Sequence, residues 1–549
     1  MTRATNIQIS DNDLTLWKPK GNLQPKDAGK IVCSFLDTAT TSMGRATHYN
    51  TREEQQKAEL TSHDLLLEAS RDLYATLLAL PGVTDRSMQV GMKKLLSTPR
   101  NGTAQEFLTP NMERAVLYHL IQSLPTPRML RLIEAFRVGN KEAGIKKANN
   151  ARTRKLILRT LLSSPRISLW AVKYRSKMVA ALTHAWGQRT ASIIREILKK
   201  DERTWSAKER GIVRHHIDKY VEEDKQRKTT YECIRFMFGD RDRLTLPILK
   251  AFVAAKSDLK AGASLPLEVL EGIRATYHKD VPKDDVLKLV AKKGKMSAGQ
   301  KMSVQRRAKA ADVEVKMDPS KYDAVRLYLY AFEMGLTEDI TEALAEKARK
   351  AAASFPSRYE SIGIIVDCSK SMEGSKEQPL RPLAATLALR DMLMNVGEGK
   401  ALHYVGGDMG GQETGRNNRT PLVRPMGDTS LADALVHTLQ MDVDAVFVLS
   451  DGYENTPAGR FAEVLEQVRD IGIKTPVYHL NPVFAAESKG VRELAPKLAP
   501  TMPVKGPEAL GSTILRGLIE NEPLKGINAL VRMALTSGPE EMQSLMETK

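Results

Sequence analysis

The chain has 549 residues, 42% hydrophobic and 27% charged, enough apolar material for more than one core and too much charge for a membrane protein. Its net charge of +17 is uneven: residues 361–549 carry −5 and residues 1–360 carry +22. The three cysteines, Cys33, Cys233 and Cys368, are far apart and odd in number, which excludes a disulfide framework and any C-x-x-C zinc or redox site.

The opening MTRATNIQISDNDLTLWKPK lacks a charged-then-apolar signal pattern, and residues 1–27 read as an N-terminal arm. The longest apolar runs, 362–366 and 445–449, are too short for a bilayer, so a cytoplasmic location without membrane contact is expected. From about Thr51 to Ala353 the spacing of apolar residues predicts helices almost throughout, as in HDLLLEASRDLYATLLAL, RMLRLIEAFRVG, RKLILRTLL, KMVAALTHAWG and AVRLYLYAFEMGL. Prolines and glycines punctuate them at 80–82, 124–127 and 164–166. Many ordinary helices with short connections predict stacked helical hairpins, an α-solenoid without a clean repeat period, over residues 28–354.

After Ser354 the pattern changes. Short apolar segments at 361–366, 401–407, 444–450 and 474–480 read as buried strands. Helical stretches at 380–396, 461–472 and 512–520 alternate with them. That alternation predicts an α/β domain with a doubly wound parallel sheet over residues 355–520, followed by a C-terminal segment at 521–549.

Ligands in such sheets bind at the carboxyl ends of the strands. The first strand ends in Asp367-Cys368-Ser369-Lys370-Ser371, and 444–450 runs into Asp451-Gly452. Between them Gly427-Asp428-Thr429 precedes a helix. Singly, Ser369 and Ser371 read as helix caps and Asp451 as a loop cap; caps do not account for the ordered trio. A carboxylate with hydroxyls at alternate positions directs hard oxygen donors at one point, which suits Mg²⁺ or another divalent cation. The set resembles the metal ion-dependent adhesion site of von Willebrand factor A domains. The resemblance implies that Asp367, Ser369, Ser371, Thr429 and Asp451 hold the ion, directly or through water. Asp408 and Asp433 lie near the same face and read as solvated loop or helix residues.

Two stretches of the helical part carry a second resemblance. Arg45-Ala46-Thr47-His48-Tyr49-Asn50-Thr51-Arg52-Glu53-Glu54-Gln55-Gln56 is similar to the opening of the TROVE module. Ala171-Val172-Lys173-Tyr174-Arg175 with His184-Ala185-Trp186-Gly187 is similar to the Lys-Tyr-basic run in its middle. In this order, ahead of an A domain, they resemble the Ro autoantigen family in its bacterial branch. That resemblance implies a ring of HEAT-like helical repeats and noncatalytic RNA binding. The implied partners are small Y-like RNA and structured RNA with a single-stranded 3′ end; a protein such as an exoribonuclease is a further one. The implied role is RNA quality control and stress survival.

The charge points the same way, since a basic region binds polyanions through counterion release. Basic runs lie at 146–147, at Arg152, Arg154 and Lys155 with Arg159, at Lys173, Arg175 and Lys177, at 292–295 and at 306–309. Arg152, Lys155 and Arg159 share helical spacing, and Tyr174 and Trp186 offer aromatic surfaces nearby. Any one lysine pair by itself reads as a solvated helix face, and Trp186 reads as core before it reads as a stacking platform. His184 enters as an RNA contact by the resemblance, with a packing histidine as the equal alternative. The expected RNA contacts are Arg152, Lys155, Arg159, Lys173, Tyr174, Arg175 and His184. The alternative function is a metal-dependent protein adaptor of the A-domain type.

Catalysis is not expected. The segment 294–301 resembles a P-loop, but Gln300 stands where lysine is required and no strand precedes it. Ser369 replaces the second aspartate of a phosphatase pair, and one site with two carboxylates lacks the ligands of a two-metal nuclease.

Overall fold

The computed structural model describes residues 16–42, 51–100, 107–137, 148–293, 296–353, 355, 359–376, 378–408, 413–414, 422–483, 492–496 and 498–547. Within them, the regular elements before Tyr359 are all helices, and a mainly parallel sheet with helices follows. No helix among the described residues is long and apolar enough to cross a membrane.

By packing, the chain forms two compact units. The helical unit is Lys93–Pro99 with Leu117–Asp318, and the α/β unit is Met1–Met92, Arg100–Val116 and Pro319–Lys549. The charge divides with them. The helical unit has 46 basic and 22 acidic residues, net +24, and the α/β unit is −7.

The predicted helices form with local adjustments. HDLLLEASRDLYATLLAL reads as one run but breaks into helices Arg52–Ala69 and Arg71–Leu77. Ser70 is extended at the break, and its hydroxyl accepts from the Leu73 amide, so a side-chain cap replaces the lost helical bond. At the other end, Thr51 and Glu54 form a reciprocal capping box. In the helical unit Leu259, Leu270, Val286, Leu287 and Val290 belong to one buried cluster, where consecutive helices cover one another's apolar faces.

The α/β unit is built on strands β1 (Tyr359–Cys368), β4 (Gly397–Gly406), β6 (Ala445–Leu449), β7 (Val477–Asn481) and β8 (Thr501–Pro503). A short antiparallel strand, β5 (Glu413–Thr414), joins one edge, giving the order β5-β4-β1-β6-β7-β8. A separate hairpin pairs β2 (Gly374–Ser375) with β3 (Gln378–Pro379). Ile362, Ile364, Ile365 and Val366 of β1 are fully buried, as a parallel strand covered on both faces requires. Helix Leu431–Leu439 comes so close to β1 that a Cβ on Gly363 would lie 2.1 Å from Thr438 Cγ2.

Segments far apart in sequence meet inside this unit. Helix Pro25–Ala39 packs on helices Pro507–Asn521 and Pro523–Ser537. Arg516 makes a two-pronged ion pair with Asp37 at 2.7 and 3.0 Å. Asn528 Oδ1 accepts from the amides of Leu16 and Trp17, both at 2.8 Å.

Candidate metal centre and basic surface

Successive main strands leave β1 in opposite directions: β4 lies on one side, and the chain then crosses to β6 on the other. The carboxyl ends of β1 and β6 therefore flank a topological switch point, where open α/β sheets bind ligands. Asp367 lies near the end of β1 and Asp451 just past β6. Val366 pairs with Leu449, which brings Asp367 level with Ser450.

Asp367 is fully buried. Its Oδ1 accepts from the Ser369 amide at 2.9 Å, and its Oδ2 accepts from Ser450 Oγ at 2.6 Å. Ser369 and Ser371 bring their hydroxyls within 3.1 Å of each other. Ser369 occupies the cap position of the 3-10 turn Lys370–Glu373, but its side chain makes no capping bond. Asp451 is also fully buried, and its Oδ1 accepts from the Tyr453 amide at 3.0 Å, the loop-cap contact expected of it. Burial, with the Asp451 charge adding to it, pushes the Asp367 carboxyl up to about 7. Two buried carboxylates side by side disfavour being ionised together unless a cation joins them.

The third loop is sewn to the first. Met426 donates its amide to Cys368 O, and Lys370 donates to Gly427 O, both at 3.0 Å. Gly406 takes φ +67°, where a Cβ would lie 2.8 Å from Met426 O and 2.9 Å from Ser369 Cα, so only glycine lets these loops close. Thr429 is buried two residues beyond Gly427. Asp408 and Asp433 are exposed and bond locally, to the Arg424 amide at 3.1 Å and the Ser430 hydroxyl at 3.3 Å.

The fold thus brings Asp367, Ser369, Ser371 and Asp451 to the switch point, with the Thr429 loop fastened beside them. Among the described residues no group of three or more His, Cys, Asp or Glu side chains is placed to hold a metal. A metal site at this point would have two carboxylates and would complete its donors with hydroxyls and water, a set that suits Mg²⁺. Sequence reading did not single out Ser450, Glu454 or Asn455. For Ser450 the available signal is its place just before Asp451 at a strand's carboxyl end.

In the helical unit the expected RNA contacts have different surroundings. Lys155 and Arg159 are exposed on helix Ala151–Leu162, and Arg159 lies 4.2 Å over the Tyr118 ring. Arg152 is half-buried and donates to Leu95 O at 2.6 Å. Lys173 and Tyr174 sit where helix Ile167–Lys173 gives way to helix Arg175–Trp186. Lys173 pairs with Glu268 at 2.8 Å, while Arg175 is exposed. Trp186 is core: it is 6% exposed and donates its indole N–H to His216 O at 3.2 Å. The basic pairs at 146–147 and at 293 and 295, and residues 45–50 of the TROVE-like opening, lie outside the described side chains.

Several cations in this unit stand close to other cations. Burial lowers the Lys219 ammonium, and Lys155 adds to that depression. Burial lowers the Arg241 guanidinium, and Arg175 adds to it while Asp240 opposes it. Burial likewise lowers His184, helped by Arg154 and Arg137, and its buried Nε2 has no hydrogen-bond partner among the described residues. Like charges held together cost free energy that a bound polyanion relieves.

No protein-family model and no curated protein matches the chain.

Proposed function

We propose that this chain is a noncatalytic RNA-binding protein of the Ro type, in which the helical unit binds RNA and residues 355–520 of the α/β unit form a von Willebrand factor A domain. The observation that carries the reading is the segregation of charge: +24 in the helical unit against −7 in the rest of the chain. The cation-beside-cation pairs within that unit support it. Repeats stacked as a HEAT-like ring are part of the proposal, as is an RNA with a free single-stranded 3′ end as ligand. Filter binding of such an RNA at low salt tests it: affinity that falls steeply with salt is expected, and no affinity at low salt ends the reading.

In the α/β unit, Asp367, Ser369, Ser371, Thr429 and Asp451 would hold one Mg²⁺, whose open coordination position accepts a partner's carboxylate. The chain's own residues shape that position: Ser450 fixes Asp367, and the Gly406 turn lets the loops meet. A second reading, a metal-dependent protein adaptor without RNA function, is favoured by Met426 and Tyr453. Both are large, exposed (53% and 44%) and borne on the metal-site loops. Pull-downs with and without nuclease and EDTA separate the two: nuclease-resistant, EDTA-sensitive capture favours the adaptor.

A further inference from the structure

Thr429 is the one metal donor of the proposed set that its own strand end does not fix, and the loop after β6 supplies what holds it. Asn455 Oδ1 accepts from the Thr429 amide at 2.9 Å. In return, the amides of Asn455 and Thr456 donate to Thr429 O at 3.4 and 3.3 Å. The Thr456 hydroxyl donates to the same Asn455 Oδ1 at 3.0 Å, which orients the amide group. One residue earlier, Glu454 Oε2 accepts from the Phe461 amide at 2.8 Å and so anchors this loop to helix Arg460–Asp470.

The clasp joins two of the three loops that carry the donors. Asp451 begins the loop that ends in the clasp, so Thr429 and Asp451 cannot move apart without breaking it. Asn455 is exposed, outside the core, and no packing need calls for an asparagine there. We propose that Asn455 is a positioning residue for the cation: it holds Thr429 at the distance from Asp451 that the ion requires. The proposal rests on the metal reading given above. Groups that orient a ligand from behind are worth roughly ten- to a hundredfold in metal affinity.

Mg²⁺ affinity of the full chain, measured by calorimetry, tests this, with melting temperature in EDTA as the control for folding. Asn455→Ala should weaken binding roughly tenfold with little change in melting temperature. Asn455→Asp keeps the acceptor for the Thr429 amide and should restore binding. In the Thr429→Ala background, Asn455→Ala should cost nothing more, because its target donor is gone. Full Mg²⁺ binding by Asn455→Ala, losses that multiply in the double variant, or an Asp variant as weak as Ala would each overturn the proposal. Asp367→Ala distinguishes the deeper failure: if it binds Mg²⁺ like the parent, the metal reading falls, and this inference with it.

Discussion

In the α/β unit the arginines with the deepest burial each face a carboxylate. Arg390 has a fully buried side chain and bonds Asp391 at 2.7 Å and the hydroxyls of Tyr404 and Tyr328 at 2.8 and 3.0 Å. Arg71 grips Glu113 through two 2.9 Å bonds, and Arg100 bonds both Glu113 and Asp72. In the helical unit, Lys155 and Arg175 are exposed and stand beside Lys219 and Arg241. Other cations of that unit do meet carboxylates: Lys173 with Glu268 and Arg307 with Glu271 and Asp284, and, in pairs that are partly or wholly exposed, Lys199 with Glu196, Lys200 with Glu209, Arg227 with Asp224 and Arg235 with Asp240. A count of lysine and arginine therefore does not say how the charge is used. Where a carboxylate meets a buried cation, the charge serves the fold; where 46 basic residues share 22 acidic ones, charge is left over for a polyanion.

The largest expected effect is structural: Arg390→Ala should destabilise the protein by about 3–5 kcal/mol, because it strands Asp391 in the interior, and thermal unfolding measures it. An unchanged melting temperature would show that the buried cations of the α/β unit are not structural. Next, Asp367→Ala should abolish Mg²⁺ binding and leave RNA affinity within about twofold, which calorimetry and filter binding read separately.

The metal site also predicts a pH dependence. The folded carboxyl of Asp367 lies above its unfolded value, so the metal-free fold holds this proton more tightly than the unfolded chain does. Stability from the group is therefore full at low pH and is lost as pH rises from its ordinary value of 3.8 to about 7. Mg²⁺ must displace that proton, so its affinity should climb as pH rises toward about 7 and level off above. Titration at several pH values checks the slope; a flat profile would place the ion elsewhere. The smallest effect separates neighbours: Lys173→Ala should weaken RNA binding less than Arg175→Ala, because Glu268 already matches the Lys173 charge.

Sequence made the sheet legible because parallel strands buried on both faces leave unbroken apolar runs, as at 362–366 and 445–449. Asp367 and Asp451 were legible because strand ends carry binding residues in such sheets. Four things left no local trace. Leu16 and Trp17 bond Asn528 more than 500 residues away, so their pairing is invisible to any pattern of spacing. The break at Ser70 depends on one hydroxyl in a run whose apolar spacing continues unbroken. Lys173 looked like its neighbour Arg175 until Glu268, 95 positions on, was found beside it. Asn455 reads as an ordinary loop residue until Thr429 is placed against it.

The central claim is that RNA affinity resides in the helical unit, and the salt dependence of binding tests it most directly. Alanine at Lys155, Arg175 and Lys219 together should flatten the slope of log affinity against log salt by about two for a single strand, and cost roughly a hundredfold in affinity at low salt. Alanine at Lys30, Lys350 and Lys525, exposed lysines of the α/β unit, should leave both unchanged. Equal losses in the two triple variants, or none in the first, would contradict the account.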